Sequence, residues 1–274
     1  MTRQNRSIRL QPAADAKAPD GLAADGTAAE AKAAAMPLRP VLIVLHQETS
    51  TPGRVGNALR ALGHPLDIRR PRFGDPLPGT LDEHAGAVIF GGPMSANDPD
   101  DYVRREIDWI SVPLNEQRPF LGICLGAQML AMQLGARVAP HPEGLTQIGY
   151  YPIRPTNAGL KLCPAWPDHV YHWHREGFEL PRGADLLAEG SDFPIQAFQC
   201  GHAFGFQFHP DVTYAMMCRW TTRGHARLDL PGARPRHQHF SDRAVHDAAE
   251  RAWLGHFMAD WLARKPVPMA QAAE

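Results

Sequence analysis

The stretch RPFLGICLGAQMLAMQLGARV, Arg118–Val138, decides how this chain is read. PFLGIC is a short apolar run of the kind that forms a buried strand, and LGAQMLAMQLG continues as a helix that Gly135 can close. Between them sits Cys124, boxed by Gly122 and Gly126. Two readings stand at this point. Cys124 is a small core residue between packing glycines, or the corner exists to present a thiol.

Working outward, order begins at Val41–Leu45, a continuous apolar run rich in β-branched residues, the mark of a strand covered on both faces. TPGRVGNALRALG follows with helical spacing and Gly63 as a candidate C′ residue. LDIRRPR and AGAVIFGGP read as further strands. In DPDDYVRREIDWISVPLNEQ, Val103, Ile107, Ile110 and Leu114 form one helical face, Asp98, Asp100 and Asp101 suit its N-terminus, and Pro113 ends the regular part. Strands alternating with helices imply an α/β fold with a parallel sheet covered on both sides. The second half is richer in short strands: IGYYPIRP, DHVYHWHREGFELP, DLLAEG, PIQAFQC and HAFGFQFHP extend or flank that sheet. PGARPRHQHF reads as a loop. A final helix carries Val245, Ala249, Trp253, Phe257 and Trp261 every four residues, with Leu254, Met258 and Leu262 beside them. Residues 1–36 are Ala-rich without a large apolar stripe and read as a disordered tail; 37–265 is the expected domain and 266–274 a flexible C-terminal tail.

A chain of 274 residues with 44% hydrophobic and 21% charged content fits a soluble globular protein. Its formal net charge of −1 supplies no global field for nucleic acid or anionic lipid, so neither is an expected partner and a small substrate is. Four cysteines with no C-x-x-C pair are too sparse for a disulfide scaffold and point to a reducing compartment. Arg3, Arg6 and Arg9 give the first residues a faint transit-peptide look, but Asp15, Asp20 and Asp25 follow and no apolar h-region appears. The expected location is cytoplasmic.

The chemistry starts from Gly122-Ile123-Cys124-Leu125-Gly126, the thiol counterpart of a nucleophile elbow. Such a turn lifts its central side chain to the carboxyl edge of the sheet, sets it at a helix N-terminus that favours a thiolate, and aims the Leu125 N–H at an oxygen developing beside the sulfur. His209, in GFQFHPDVT, ends a strand that Pro210 stops, with Asp211 two residues on to orient its ring; a surface histidine is the plainer alternative. Gly91-Gly92-Pro93 ends another strand and can leave an N–H free, as an oxyanion donor or as an ordinary glycine turn. His172-x-His174 and His237-x-His239 have metal-ligand spacing, yet no thiol or carboxylate clusters with either, so neither metal nor cofactor is expected.

Three motifs in this order, GGPMSAND, LGICLGAQMLA and FGFQFHPDVT, with HWHREGFELPRGADLLAEG and IQAFQC between the last two, resemble the class I glutamine amidotransferase family over Pro40 to Thr213. The branch most similar is the one related to the amidotransferase domain of GMP synthase, often found as stand-alone proteins. The resemblance implies a flavodoxin-like, mostly parallel sheet. It implies Cys124 as the nucleophile toward the side-chain amide of glutamine, His209 as proton carrier, Asp211 as orienting acid, the N–H groups of Gly92 and Leu125 as oxyanion hole, and Gln128 as a substrate contact. About sixty residues follow Thr213, too few for an ATP-binding synthase domain, so if ammonia is used its acceptor is expected on a separate synthase subunit, and without such a partner the protein is a free-standing hydrolase.

Two departures from the family pattern matter. Its third triad residue is usually Glu, and the shorter Asp211 is expected to reach the imidazole less well, reducing activity rather than abolishing it. Where the family often has Glu-Ile-Gly-Trp, this chain has Gln147-Ile148-Gly149-Tyr150. Three functions remain open: a glutaminase, a hydrolase of γ-glutamyl amides or peptides, and a regulatory or binding module with impaired catalysis.

Overall fold

A computed structural model describes residues 38–263. The expected tails 1–36 and 266–274 lie outside the described residues. The first half alternates as its apolar pattern requires: β1 (Val41–Val44), α1 (Gly53–Ala61), β2 (Leu66–Arg69), β3 (Gly86–Ile89), α2 (Asp101–Trp109), α3 (Ser111–Asn115), β4 (Phe120–Ile123) and α4 (Leu125–Gln133). The strand-rich part holds β5 (Val138–Pro140), β6 (Gln147–Pro152), β7 (Arg154–Pro155), α5 (Asn157–Leu162), β8 (His169–His174), β9 (Glu176–Phe178), β10 (Asp185–Glu189), β11 (Ile195–Cys200) and β12 (Ala203–Phe206). Then come α6 (Tyr214–Arg223) and α7 (Arg236–Trp261).

The main sheet runs β2-β1-β3-β4-β12-β11-β10-β7. The first five strands are parallel neighbours, and β11, β10 and β7 extend the sheet antiparallel. Two antiparallel ribbons, β5–β9 and β6–β8, stand apart from it. Alternate residues of β1 feed opposite faces. Val41 and Ile43 pack with Val55, Leu59, Trp253, Phe257 and Trp261 of α1 and α7. Leu42 and Val44 pack with Val103, Trp109, Met129 and Leu130 of α2 and α4. Each large side chain so buried contributes about 1.5–3 kcal/mol. Both α1 and α4 end in Schellman motifs on the glycines expected to close them: Gly63 N donates to Arg60 O and His64 N to Leu59 O, and Gly135 and Ala136 repeat the pattern on Met132 and Ala131.

Three expectations are corrected. The face Val103–Leu114 is split between α2 and α3 at Ile110, because the Pro113 ring cannot pack against the carbonyl of Trp109 in a continuous helix. PGARPRHQHF is only half loop: α7 starts at Arg236, straight after Pro235, whose backbone (φ −65°, ψ 152°) is still extended. His239 is thereby buried, bonded to the Tyr171 hydroxyl at 2.9 Å. The docked stripe of α7 follows the expected one at Trp253, Leu254, Phe257, Met258 and Trp261 but departs from it at its start, where Val245 and Ala249 face outward. Val245 is 71% exposed, and Glu250, Trp253, Leu254, Phe257, Met258 and Trp261 face the sheet. The i,i+3,i+4 rhythm of that stripe follows 3.6 residues per turn better than a strict spacing of four.

Glu250 is the one charged member of this stripe. The Tyr171 N–H donates to its Oε1 at 3.2 Å. Burial, with the Asp247 and Asp211 carboxylates nearby, raises its pKa from 4.5 to about 8, against the Tyr171 N–H and Arg54, which act to lower it. A raised folded value means that folding holds the proton. The resulting stabilisation is complete below the unfolded value and is lost as pH climbs through about 8. Chemical denaturation should therefore show the wild type losing about 2–3 kcal/mol more between pH 6 and pH 9 than Glu250→Gln, which keeps the acceptor without the ionisation. Equal pH dependence of the two proteins would refute this account of Glu250.

Candidate active site

Parallel pairing delivers the predicted residues to one place. β3, β4 and β12 are adjacent and parallel, with Ile89 opposite Gly122 and Phe206 opposite Ile123. Their carboxyl ends therefore share one edge of the sheet, where the chain continues into Gly91-Gly92, Cys124 and His209.

Cys124 occupies φ 51°, ψ −105°, one of two non-glycine residues with positive φ among the described residues. Packing forces this geometry. A Cβ on Gly122 would strike the carbonyl of Gly126, and a Cβ on Gly126 would strike the carbonyl of Ile89. Strand and helix thus meet too closely for any other residue type. The Cys124 N–H donates to Phe206 O at 2.7 Å, and its carbonyl accepts from Gln128 N at 3.0 Å, so the corner is pinned on both sides. Cys163, Cys200 and Cys218 sit in no such corner.

His209 is held by its own N–H, which donates to Tyr171 O at 2.7 Å, and by Trp220, whose ring meets the imidazole edge-on at 4.9 Å. Its Nδ1 lies 3.1 Å from Asp211 Oδ1, and both side chains are buried. The shorter acid does reach the ring. Its backbone is tied too, since Arg54 N donates to Asp211 O at 2.9 Å. Cys124 also hydrogen-bonds the imidazole. Burial on its own would lower the His209 pKa, but the charges and hydrogen bonds of Cys124 and Asp211 prevail and raise it to about 10. A Cβ on Gly91 would come within 2.6 Å of His209 Cε1 and 3.4 Å of Cys124 Cβ, so glycine is what lets this loop close over the pair.

A buried pair missed in the sequence stands behind Gly91. His46, which follows β1, and Glu106 of α2 are both inaccessible, with His46 Nε2 2.7 Å from Glu106 Oε2. His46 Nδ1 lies 3.2 Å from Gly91 O. A carbonyl can only accept, so Nδ1 carries a proton and donates. The Gly91–Gly92 peptide is trans, so its N–H points away from the His46 side. No short-range pattern joins residues 46, 91 and 106, which is why the sequence did not disclose them.

The expected H-x-H pair is a buried chain of neutral imidazoles. Burial and the neighbouring His209 lower His174 to about 3, and burial, with His174 and His209, holds His172 well below the usual range. His174 Nδ1 donates to Glu176 O at 3.1 Å, so its Nε2 accepts from His172 Nδ1, also at 3.1 Å. No cluster of three or more metal-ligating side chains occurs among the described residues. Gln128 donates to Glu176 O at 3.0 Å and Gln207 Oε1 at 3.3 Å. Gln147, at the departure from the family pattern, is buried, and its Oε1 accepts from Gln196 at 3.1 Å.

A cavity of about 140 Å3 lies over Cys124, lined among others by Gly92, Leu125, Gln128, Trp173, Arg175, Glu176 and Arg227. A second, of about 250 Å3, adjoins it on the His209 side. Among the described residues no helix is long and apolar enough to cross a membrane.

The Glutamine amidotransferase class-I family pattern matches residues 49–217. The glutamine amidotransferase-like protein YfeJ of Salmonella typhimurium is 34% identical over 63% of this chain and 76% of its own length. The GMP synthase [glutamine-hydrolyzing] of Thermomicrobium roseum is 33% identical over 61% of this chain, but the match spans only 31% of that protein. Among solved structures, a glutamine amido transferase from Methylobacillus flagellatus aligns with a TM-score of 0.77 at 25% identity, covering 86% of this chain and all of that one. One from Thermotoga maritima aligns at 0.73 and 28% identity, covering 82% and 98%.

If Asp211 helps to hold the proton on His209, Asp211→Asn should lower the imidazole pKa by about 1–2 units, because the imidazolium loses a negative neighbour. An NMR titration of the His209 ring reads this directly. An unchanged value would show that the carboxylate does not govern the ring.

Proposed function

The chain belongs to the class I glutamine amidotransferase family, and on that premise we propose that it hydrolyses the side-chain amide of glutamine through a cysteine thioester. The observation that carries the reading is the meeting of Cys124, the His209–Asp211 pair and Gly92 at the carboxyl edge of three adjacent parallel strands. With its pKa raised to about 10, His209 carries a proton at neutral pH that it can hand to a departing nitrogen.

The thiolate attacks the γ-carbonyl carbon. Negative charge moves to the oxygen, which the N–H groups of Gly92 and Leu125 receive. As the C–N bond breaks, the His209 imidazolium gives its proton to the departing nitrogen, and ammonia leaves. The now neutral imidazole takes a proton from water, whose oxygen attacks the thioester. The oxyanion forms and collapses a second time, releasing glutamate and freeing Cys124 and His209 for the next cycle. Asp211 keeps the ring oriented throughout. His46 and Glu106 act as positioning residues, fixing the Gly91–Gly92 peptide so that its N–H stays available. Arg175 and Glu176, of opposite charge on the Cys124 cavity, suit the α-carboxylate and α-ammonium groups of an amino-acid substrate, and Gln128 lines the same wall. Asp211 lies within hydrogen-bonding distance of the ring, which supports catalysis over a binding module. If the ammonia is delivered rather than released, its acceptor is a synthase subunit that this chain meets as a partner. GMP synthases carry more than two-thirds of their length beyond the part this chain matches.

Purified protein with glutamine should release glutamate and ammonia, and mass spectrometry of a quenched reaction should find the γ-glutamyl adduct on Cys124. Cys124→Ala should lose about four orders of magnitude in kcat while keeping its thermal midpoint. His46→Ala should lower kcat more than it raises KM, by about 10–100-fold, as expected of an oxyanion donor left unfixed. An unlabelled Cys124 together with no glutamine turnover would overturn the proposal.

A further inference from the structure

The two cavities at the catalytic corner share Gly92, Pro93, Trp173 and Arg227 but differ in what they face. The first contains Cys124 and Gln128, the side on which an acyl group is held. The second contains His209 itself. In the reaction proposed above, the leaving nitrogen departs toward His209, because that ring supplies its proton. Ammonia occupies about the volume of one water, roughly 30 Å3. A space of about 250 Å3 is far more than it requires.

The walls of this space are the rings of Trp173 and Trp220, which meet edge-on at 5.8 Å. Its charged lining is of one sign. Arg219 and Arg223 stand one turn apart on α6, and Arg227 follows one turn later. Among the described residues no Asp or Glu lines the cavity, and none of the three guanidinium groups forms an ion pair with a carboxylate. Among the described residues the Arg223 guanidinium donates one hydrogen bond, to the Thr49 hydroxyl at 3.5 Å. Three uncompensated guanidinium groups around an aromatic-walled space favour a small ligand with an anionic end, since the guanidinium fork matches a carboxylate.

We propose that this second cavity is a leaving-group site, and that the substrates of the protein include γ-glutamyl amides whose amine portion carries a carboxylate, the γ-glutamyl amino acids and short γ-glutamyl peptides. The inference rests on the cysteine-thioester reading above and extends it. The same bonds form and break. The Cys124 sulfur bonds to the γ-carbon, the C–N bond breaks, and the His209 proton passes to the amine nitrogen. The amino acid leaves with its carboxylate against the arginines. Water then releases glutamate, so the net reaction consumes one water and yields glutamate and a free amino acid.

The test compares kcat/KM for γ-glutamyl-β-alanine with that for γ-glutamylpropylamide, nearly the same shape without the charge, with glutamine as a third substrate. The expected result is a preference of about tenfold or more for the charged amide, in keeping with a hydrogen-bonded charge. The ratio should fall toward one in an Arg219→Gln, Arg223→Gln double variant whose thermal midpoint matches the wild type. Each amide ratio is taken within one protein, so a general loss of activity does not mimic the effect. A wild-type ratio near one, or a ratio that survives in the double variant, overturns the inference. So does turnover of glutamine with refusal of both amides, which leaves the glutaminase reading standing and points the arginines toward an acidic partner surface instead. No turnover of any of the three, with Cys124 unlabelled, removes the underlying reading and this inference with it.

Discussion

The whole site depends on how closely β4 and α4 approach each other and β3. With no room for a Cβ at Gly122 or Gly126, the connecting residue must take a positive φ, and that residue is Cys124. Backbone strain of this kind costs about 1–3 kcal/mol and persists only where packing over-determines it. Here the over-determination is visible. Leu121 and Ile123 are fully buried on one face, Phe120, Met129 and Leu130 on the other, and Phe206 O fixes the Cys124 N–H from the neighbouring strand. The core binds the corner, and the corner presents the thiol.

Around this corner the buried polar groups divide the labour by charge. His209 is raised to about 10 while His174 is lowered to about 3, although both are buried and near one another. The difference lies in their partners. His209 faces Cys124 and Asp211, whereas His174 faces a carbonyl, another neutral imidazole and the charge of His209 itself. One cation is concentrated where a departing nitrogen would need a proton, and the neighbours stay neutral so as not to compete. His46 and Glu106 lie farther back and act on backbone orientation, through Gly91.

The strands and the elbow were legible because their signals are local: an apolar run, a glycine on either side of a cysteine, a glycine after a helix. Cys124, His209 and Asp211 could be named since each lies in a short motif, and the geometry brings them together. Where the docked stripe of α7 begins was not legible, because Val245 and Trp253 are both apolar and only docking against the sheet reveals which of them is covered. The helical start at Arg236 was hidden for a related reason. His237 and His239 look alike in sequence, yet one is exposed and the other is bonded to Tyr171. Asp211 was expected to reach the imidazole less well than a Glu, but reach depends on the turn after Pro210 and on the Arg54 N–H that holds its backbone, not on side-chain length alone.

The sequence by itself determined the alternation of elements, the α/β class, the family and the glycine-flanked cysteine at the strand-to-helix corner, since apolar periodicity and glycine placement act over a few residues. Tertiary structure alone decided what surrounds that thiol. Residues 46, 91 and 106 are joined only because parallel strands place their carboxyl ends along one edge. Arg219, Arg223 and Arg227 become one cationic wall only because α6 and the turn after it fold over His209. Side chains far apart along the chain, such as His46 and Glu106, acquire a common meaning when the fold brings them together and burial removes the water between them.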